Sequence, residues 1–170
     1  MKNLGLILAA IALAFAVFSY TSQPKLAYVN SQDVISKYKG AKEANAILKT
    51  ESEKWRGNVQ ILKSEVDSLT LIWNKENASW SKKKKTSFAQ SAAKKQEELQ
   101  RYSQAVQQKE LQRQQELMNP IFADLNKYIE EYAKANGYDM VFGTMQGNIV
   151  YAADATDITK AIIKYVNEQY

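Results

Sequence analysis

The fold of this chain is decided by residues 48–73, which read LKTESEKWRGNVQILKSEVDSLTLIW. One apolar row recurs there every seven residues, and a second row follows at an offset of four. The first row contains Leu48, Trp55, Leu62 and Leu69, and the second contains Val59, Val66 and Trp73. Such rows form the a/d seam of a coiled coil, because a seven-residue repeat keeps one apolar stripe facing a partner helix. The pattern predicts a long helix that packs against another helix.

We predict the partner helix in the same chain. The stretch 74–81 interrupts both apolar rows, and a turn between two helices is expected there. It contains four residues that favour turns and helix caps, namely Asn74, Asn77, Ser79 and Ser81. One arm is therefore expected over 41–78 and a second over 82–118, each about 57 Å long at about 1.5 Å per residue. The second arm is the more polar, so we expect the seam between the arms to be incompletely buried.

Composition excludes several classes of chemistry. The 170 residues include no cysteine and no histidine, which removes thiol nucleophiles, disulfides, Cys/His zinc sites and histidine general bases. We therefore expect no catalytic residues, no metal and no cofactor, and an envelope hydrolase is a disfavoured alternative. The formal net charge of +5 favours acidic partners.

Residues 1–22 have the form of an export signal. Lys2 supplies a positive start, and Leu4–Phe18 is apolar apart from Gly5. This run of about 15 residues is short for a membrane span, which needs about 20. We expect the signal to be cleaved and the protein to be exported, which argues against nucleic acid as a partner. The alternative is a structural envelope coiled coil that is anchored by an uncleaved signal, and the mass of the mature chain would distinguish the two.

The remaining segments, 23–40 and 119–170, are expected to form a small body. Residues 26–30 are rich in β-branched and aromatic side chains and predict a strand. A short helix should follow, with Ser31 as its N-cap and Gly40 at its end. The expected fold class is α+β, with the long antiparallel hairpin protruding from a three-strand body with flanking helices.

The second part of the body is expected to contain the other two strands. Pro120 predicts either a helix start or a kink, because proline lacks the N–H that a helix interior requires. Strands over 140–142 and 149–151 are expected to pair as a β-hairpin. Asp154 or Thr156 is then expected to cap a last helix. A capping role would account for the Asp154 carboxylate without a catalytic function. The apolar face of that helix is predicted to contain Ile158, Ile162 and either Tyr165 or Val166.

A body of about 70 residues rarely supplies more than about 3–5 kcal/mol from one core. Three short strands would also leave sheet edges open. We therefore expect copies of the chain to share their sheet and core, although these residues do not set the number of copies. The residues expected in this shared body are Leu26, Tyr28, Val29, Val141, Phe142, Ile149, Val150 and Tyr151.

Two segments resemble the Skp/OmpH family of periplasmic chaperones. They are LAYVNSQDVI at 26–35 and the stretch from Asn119-Pro120-Ile121 to Met140-Val141-Phe142, while the arms are similar in character. The resemblance implies a homotrimer in which a β-barrel-like body carries three helical arms around a cavity. It also implies a periplasmic, ATP-independent holdase for unfolded outer-membrane proteins, without catalytic residues.

The apolar residues of the arms have two interpretations. Regular helical stripes usually form a core, whereas aromatic side chains also dominate contact energy at adaptable binding surfaces. Trp80 lies at the predicted tip without an evident partner in the chain, so we expect it to contact a client or a membrane. The arm residues expected to contact clients are Trp55, Val59, Leu62, Val66, Leu69, Trp73 and Trp80.

Four consecutive lysines begin the second arm, namely Lys82, Lys83, Lys84 and Lys85. At a helix start they oppose the helix dipole and repel one another. One interpretation is a solvated tip that limits self-association. The other is electrostatic capture of acidic clients or contact with an anionic membrane surface, which salt would weaken. We include the four lysines among the expected client-binding residues.

Overall fold

The computed structural model of the protein describes residue 13 and residues 23–145 and 148–170. The expected export signal lies outside the described residues, apart from Leu13. The chain divides into two compact units. One, here called the sheet unit, contains the described residues from 23 to Tyr38 together with those of Asp124–Tyr170. The other, the hairpin unit, is Lys39–Ala123.

The described part of the sheet unit contains a two-stranded parallel sheet. Strand β1 is Leu26–Asn30 and strand β2 is Met140–Thr144, with Leu26 opposite Met140. Alternate residues of β1 are buried, because successive side chains of a strand point to opposite faces. Parallel strands cannot be joined by a tight turn, and the sequence places long helical segments between these two strands.

The predicted β-hairpin between 140–142 and 149–151 is wrong. β2 pairs with β1 instead, and 149–151 is not a strand in the described chain. Val150 is 99% exposed and Tyr151 is 88% exposed, so these two side chains do not pack on the described part of the chain. Short strand pairs without a buried face are at best marginally stable in water.

Helix α1 is Ser31–Lys37, and both of its predicted ends need correction. Asn30 is the N-cap in place of Ser31, because the Asn30 side-chain oxygen accepts a hydrogen bond from the Asp33 N–H at 3.1 Å. The helix ends before Tyr38 and not at Gly40. Tyr38 is buried in extended conformation and packs edge-to-face on Tyr170, with 5.7 Å between ring centroids.

Helix α2 is Lys39–Glu76 and helix α3 is Lys82–Ala135, with a 3-10 turn at Asn77–Ser79 between them. The turn lies within the predicted stretch 74–81. Asn77 Nδ2 donates to the Trp73 carbonyl at 2.6 Å, and Ser81 Oγ accepts from the Lys84 N–H at 3.3 Å. The two side chains thus satisfy backbone groups at the end of α2 and the start of α3.

Helix α3 continues through Pro120, so the predicted helix start at that residue is wrong. Proline removes the hydrogen bond to the carbonyl of Glu116. Glu116 lies at an exposed position, where water can donate a hydrogen bond to this carbonyl. Leu117 and Ile121, on either side of the proline, are half-buried, and the packing of such residues offsets the cost.

Helix α4 is Thr159–Glu168, and its apolar face is confirmed, since Ile158, Ile162 and Val166 are all buried. The predicted caps are wrong because Asp154–Thr156 forms a separate 3-10 turn. Asp157 Oδ1 accepts the hydrogen bond from the Thr159 N–H at 2.9 Å. Burial acts to raise the pKa of Asp157, but hydrogen bonds from Thr159 and Tyr28 outweigh it and leave this pKa lowered.

The described elements are mostly helical, with one small sheet. No helix among residue 13, 23–145 and 148–170 combines the length and the apolar character that crossing a bilayer requires.

Candidate binding surface

The α2 side of the predicted seam is half-buried throughout. Its predicted client-contact residues share this intermediate exposure, and they are Trp55, Val59, Leu62, Val66, Leu69 and Trp73. In α3, Val106 is buried, whereas Leu99 and Tyr102 are half-buried. The seam therefore covers its own apolar residues only in part, and those that are half-buried retain some surface that another molecule can contact.

Ion pairs join the two arms where apolar contacts are sparse. Arg113 binds Glu51 through two hydrogen bonds of 2.8 and 3.2 Å, and Arg56 binds Glu110 through two of 2.8 and 3.1 Å. Lys95 Nζ lies 2.8 Å from Glu65 Oε2.

Isolated exposed ion pairs contribute at most about 1 kcal/mol, whereas two-bond arginine–carboxylate pairs add geometric specificity. The three cross-arm pairs thus add to the half-buried apolar seam and favour one antiparallel register of the arms. Asn58 Nδ2 also donates to Tyr102 Oη at 3.1 Å across the arms.

The ion pair between Arg56 and Glu110 shifts the pKa of both side chains. The hydrogen bond from the Arg56 guanidinium lowers the pKa of Glu110, although partial burial of the carboxyl acts in the opposite direction. The same bond raises the pKa of Arg56. Each partner therefore favours the charged form of the other.

Three aromatic rings form a cluster at the turn between the arms, which we call the tip cluster: Trp73, Trp80 and Phe88. The ring centroids are 6.0 Å apart for Trp73 and Trp80, 5.9 Å for Trp73 and Phe88, and 4.7 Å for Trp80 and Phe88. The prediction that Trp80 has no partner within the chain is wrong. The turn at Asn77–Ser79 brings Trp80 against residues of both arms, and its side chain is half-buried.

The four lysines of the tip differ in their surroundings. Lys82, Lys83 and Lys84 are exposed, whereas Lys85 is half-buried. Lys84 Nζ lies 4.3 Å from the centroid of the Trp80 ring, a cation–π contact. Within the described part of the chain, none of the four forms an ion pair. Their charge is therefore not neutralised by the hairpin.

Sequence reasoning missed a second set of apolar residues on the arms. Ile61 is 60% exposed and Leu71 is 69% exposed, and both lie outside the seven-residue rows. The other exposed large apolar residues of the hairpin unit are Ile47, Ile72, Leu111 and Phe122. The signal that could have identified them is the presence of apolar side chains at helix positions outside the seam rows.

The residues predicted for a shared body fall into three groups by exposure. Val29 is 2% exposed and belongs to the core of its own chain. Tyr28 and Val141 are half-buried. The exposed members of the set are Leu26, Phe142, Ile149, Val150 and Tyr151. Together with Met140 and Met145, which are also exposed, they leave the sheet unit with many uncovered apolar side chains.

Residues 25–166 match the protein family described as outer membrane protein (OmpH-like). The chain belongs to the OmpH-like family. Over 156 residues it is 23% identical to the chaperone protein Skp of Photorhabdus laumondii, a match that covers 92% of this chain and 93% of that relative. The resemblance seen in the sequence is thereby confirmed.

A solved structure supports the fold of this OmpH-like chain. The structure is of a Caulobacter crescentus protein described as an OmpH-like outer membrane chaperone. It matches with a TM-score of 0.77 at 17% identity, covering 88% of this chain and 87% of the other. At this identity the likeness establishes the fold alone.

Proposed function

We propose that this OmpH-like protein is an ATP-independent periplasmic chaperone that holds unfolded outer-membrane proteins and prevents their aggregation. The observation that carries the proposal is the exposure of large apolar side chains along a helical hairpin, with Ile61 and Leu71 more than half exposed. The Skp relative supports it, since that protein is named a chaperone.

The presence of several separate exposed apolar side chains favours a non-catalytic mechanism of many weak contacts. Full burial of one Val, Leu, Ile or Phe side chain contributes about 1.5–3 kcal/mol. A client that partly covers several of these side chains is held by the sum of their smaller contributions. The half-buried seam residues Trp55, Val59, Leu62 and Val66 add further weak contacts. Such a client is released when its own folding or membrane insertion buries more apolar surface, so no nucleotide is required.

The same protein is proposed to work as a homotrimer in which three pairs of arms surround a cavity. The number three follows from the family resemblance, while the need for copies follows from the sheet unit. Among the described residues the sheet has two strands, and β2 has β1 as its one strand partner, so the outer edge of β2 is available to a strand of another copy. Val150 and Tyr151 are uncovered, and burial against another copy would stabilise both.

Light scattering coupled to size-exclusion chromatography is expected to report a mass near three chains at micromolar concentration. Val150→Glu should reduce this mass, because the substitution places a charge where the proposed interface buries an apolar side chain. Gln169→Glu adds the same charge at another exposed position and should leave the trimer intact. A monomeric wild-type protein would contradict the proposed assembly.

The chaperone function itself is tested by diluting a urea-unfolded β-barrel outer-membrane protein into buffer without nucleotide. An equimolar amount of trimer is expected to suppress the growth of light scattering, because the arms cover apolar client segments before these meet one another. An equal mass of a monomeric globular protein is the control for crowding. Unchanged client aggregation in the presence of the trimer would refute the proposed function.

A further inference from the structure

An open groove lies between the arms beside the tip cluster. Its volume is about 280 Å³, and six residues line it: Leu69, Thr70, Trp73, Phe88, Ala89 and Ala92. Pockets for drug-sized ligands begin at about 300 Å³. The groove is therefore large enough for a single side chain and too small for a folded element.

The walls of the groove favour an aromatic occupant. The rings of Trp73 and Phe88 are stacked, with an interplanar angle of 27°, and both border the groove. Aromatic rings bind one another in offset or edge-to-face arrangements more strongly than their area alone predicts. Ala89 and Ala92, with their small side chains, complete the wall on α3 and leave space between the arms.

The charge around the groove indicates which charge the bound segment carries. Between Lys75 and Lys95 the sequence contains seven lysines and one acidic residue, Glu76, a net charge of +6, whereas the whole chain carries +5. The net positive charge of the protein is thus concentrated in this segment. Lys82, Lys83 and Lys84 are exposed there without ion-pair partners in the described chain, which complements carboxylates on a bound segment.

We infer that the groove is a binding site for one aromatic side chain of an unfolded client segment that also carries acidic residues. The inference rests on the proposed chaperone function and adds a preference to it. The aromatic ring occupies the space beside Trp73 and Phe88, while neighbouring carboxylates of the client face the tip lysines. Among clients of equal length, those with aromatic residues next to acidic ones are then held most tightly.

The test uses the full assembled protein and a short fluorescein-labelled peptide with one phenylalanine between aspartates, followed by fluorescence anisotropy. Two other peptides carry alanine in place of the phenylalanine, or asparagines in place of the aspartates. Each is expected to bind about tenfold more weakly than the first, which corresponds to about 1.4 kcal/mol. The difference between the aspartate and asparagine peptides should shrink as salt is added.

Variants then locate the site. Ala89→Leu fills the groove from α3 and is expected to weaken binding of the phenylalanine peptide about tenfold. Ala105→Leu makes the same change at an exposed alanine of α3 that does not line the groove, and it should have no effect. Thr70→Leu fills the groove from α2. If Ala89→Leu perturbs α3 locally, this second variant still tests whether a filled groove weakens binding. Lys82→Gln with Lys83→Gln should reduce the preference for aspartate while leaving Lys84 on Trp80.

Equal affinity for the phenylalanine and alanine peptides, or unchanged binding by both filled variants, would overturn the inference. Binding to vesicles with anionic phosphatidylglycerol but to none of the peptides would overturn it too, since the tip would then serve a membrane. The proposed function is judged separately. If wild type suppresses client aggregation but shows no peptide preference, the inference alone fails. If it does not suppress aggregation, the function fails.

Discussion

Ile162→Ala is expected to unfold the sheet unit at temperatures at which the wild type is folded. Ile162 is 0% exposed in α4, and Val34 and Val166 are buried in the same unit. Truncation of a buried isoleucine to alanine costs about 2–5 kcal/mol, because the loss of apolar burial adds to the cost of a cavity. A core of this size rarely provides more than about 3–5 kcal/mol, so one substitution removes most of its stability.

Thermal unfolding by circular dichroism, at a fixed protein concentration, measures this effect. In a domain of 60–100 residues, about 1 kcal/mol shifts the midpoint by about 4–8 °C, so a decrease of about 10 °C or more is expected. Lys164→Ala, at an exposed position of the same helix, should shift the midpoint little. Equal midpoints for Ile162→Ala and Lys164→Ala would show that Ile162 is not part of a core that limits stability.

The helices could be predicted because their signal is local. The seven-residue rows that include Leu62 and Val66 require a partner helix, and the turn formers at Asn77 and Ser81 indicate where the chain reverses. The sheet could not be predicted in this way. β1 and β2 are separated by more than 100 residues, and no local pattern indicates that they pair in parallel.

The charged part of the seam was also missed, for a different physical reason. Lys85, Ala92, Leu99, Val106 and Arg113 recur every seven residues in α3 and form the counterpart of the α2 rows. Lys85 and Arg113 do not belong to an apolar pattern, so they were not predicted as seam residues. Long basic side chains can occupy half-buried positions because their stems are apolar and their ends reach carboxylates, as Arg113 reaches Glu51.

Trp80 shows that a position in a predicted turn does not establish that an aromatic side chain is exposed. Its position in a predicted turn suggested exposure, yet the turn places it against the rings of Trp73 and Phe88. A tryptophan in a turn can reach side chains of both helices that the turn connects. Apart from Phe122, the exposed large apolar residues of the hairpin unit are aliphatic, and they lie along the helices.

The second large effect is expected from removing four of these aliphatic side chains together. The variant replaces Ile47, Ile61, Leu71 and Ile72 with serine. All four are exposed in α2, so their loss opens no cavity. If a client covers roughly 30 Å² of each, their combined contribution is about 3 kcal/mol at about 25 cal/mol per Å². This corresponds to an affinity for unfolded clients that is about 100-fold weaker.

Anisotropy of a labelled, unfolded outer-membrane protein measures this affinity, and circular dichroism verifies that the helices persist. The control variant replaces four exposed polar residues of the arms with serine, namely Gln60, Gln90, Gln100 and Gln107. It should bind as tightly as the wild type, because glutamine side chains contribute little apolar contact. Each single substitution in the aliphatic set should cost about fivefold or less, since the contacts are many and individually weak. If the fourfold aliphatic variant kept wild-type affinity, clients would not be held by these four side chains of α2, and the half-buried seam or the tip would have to provide the binding energy.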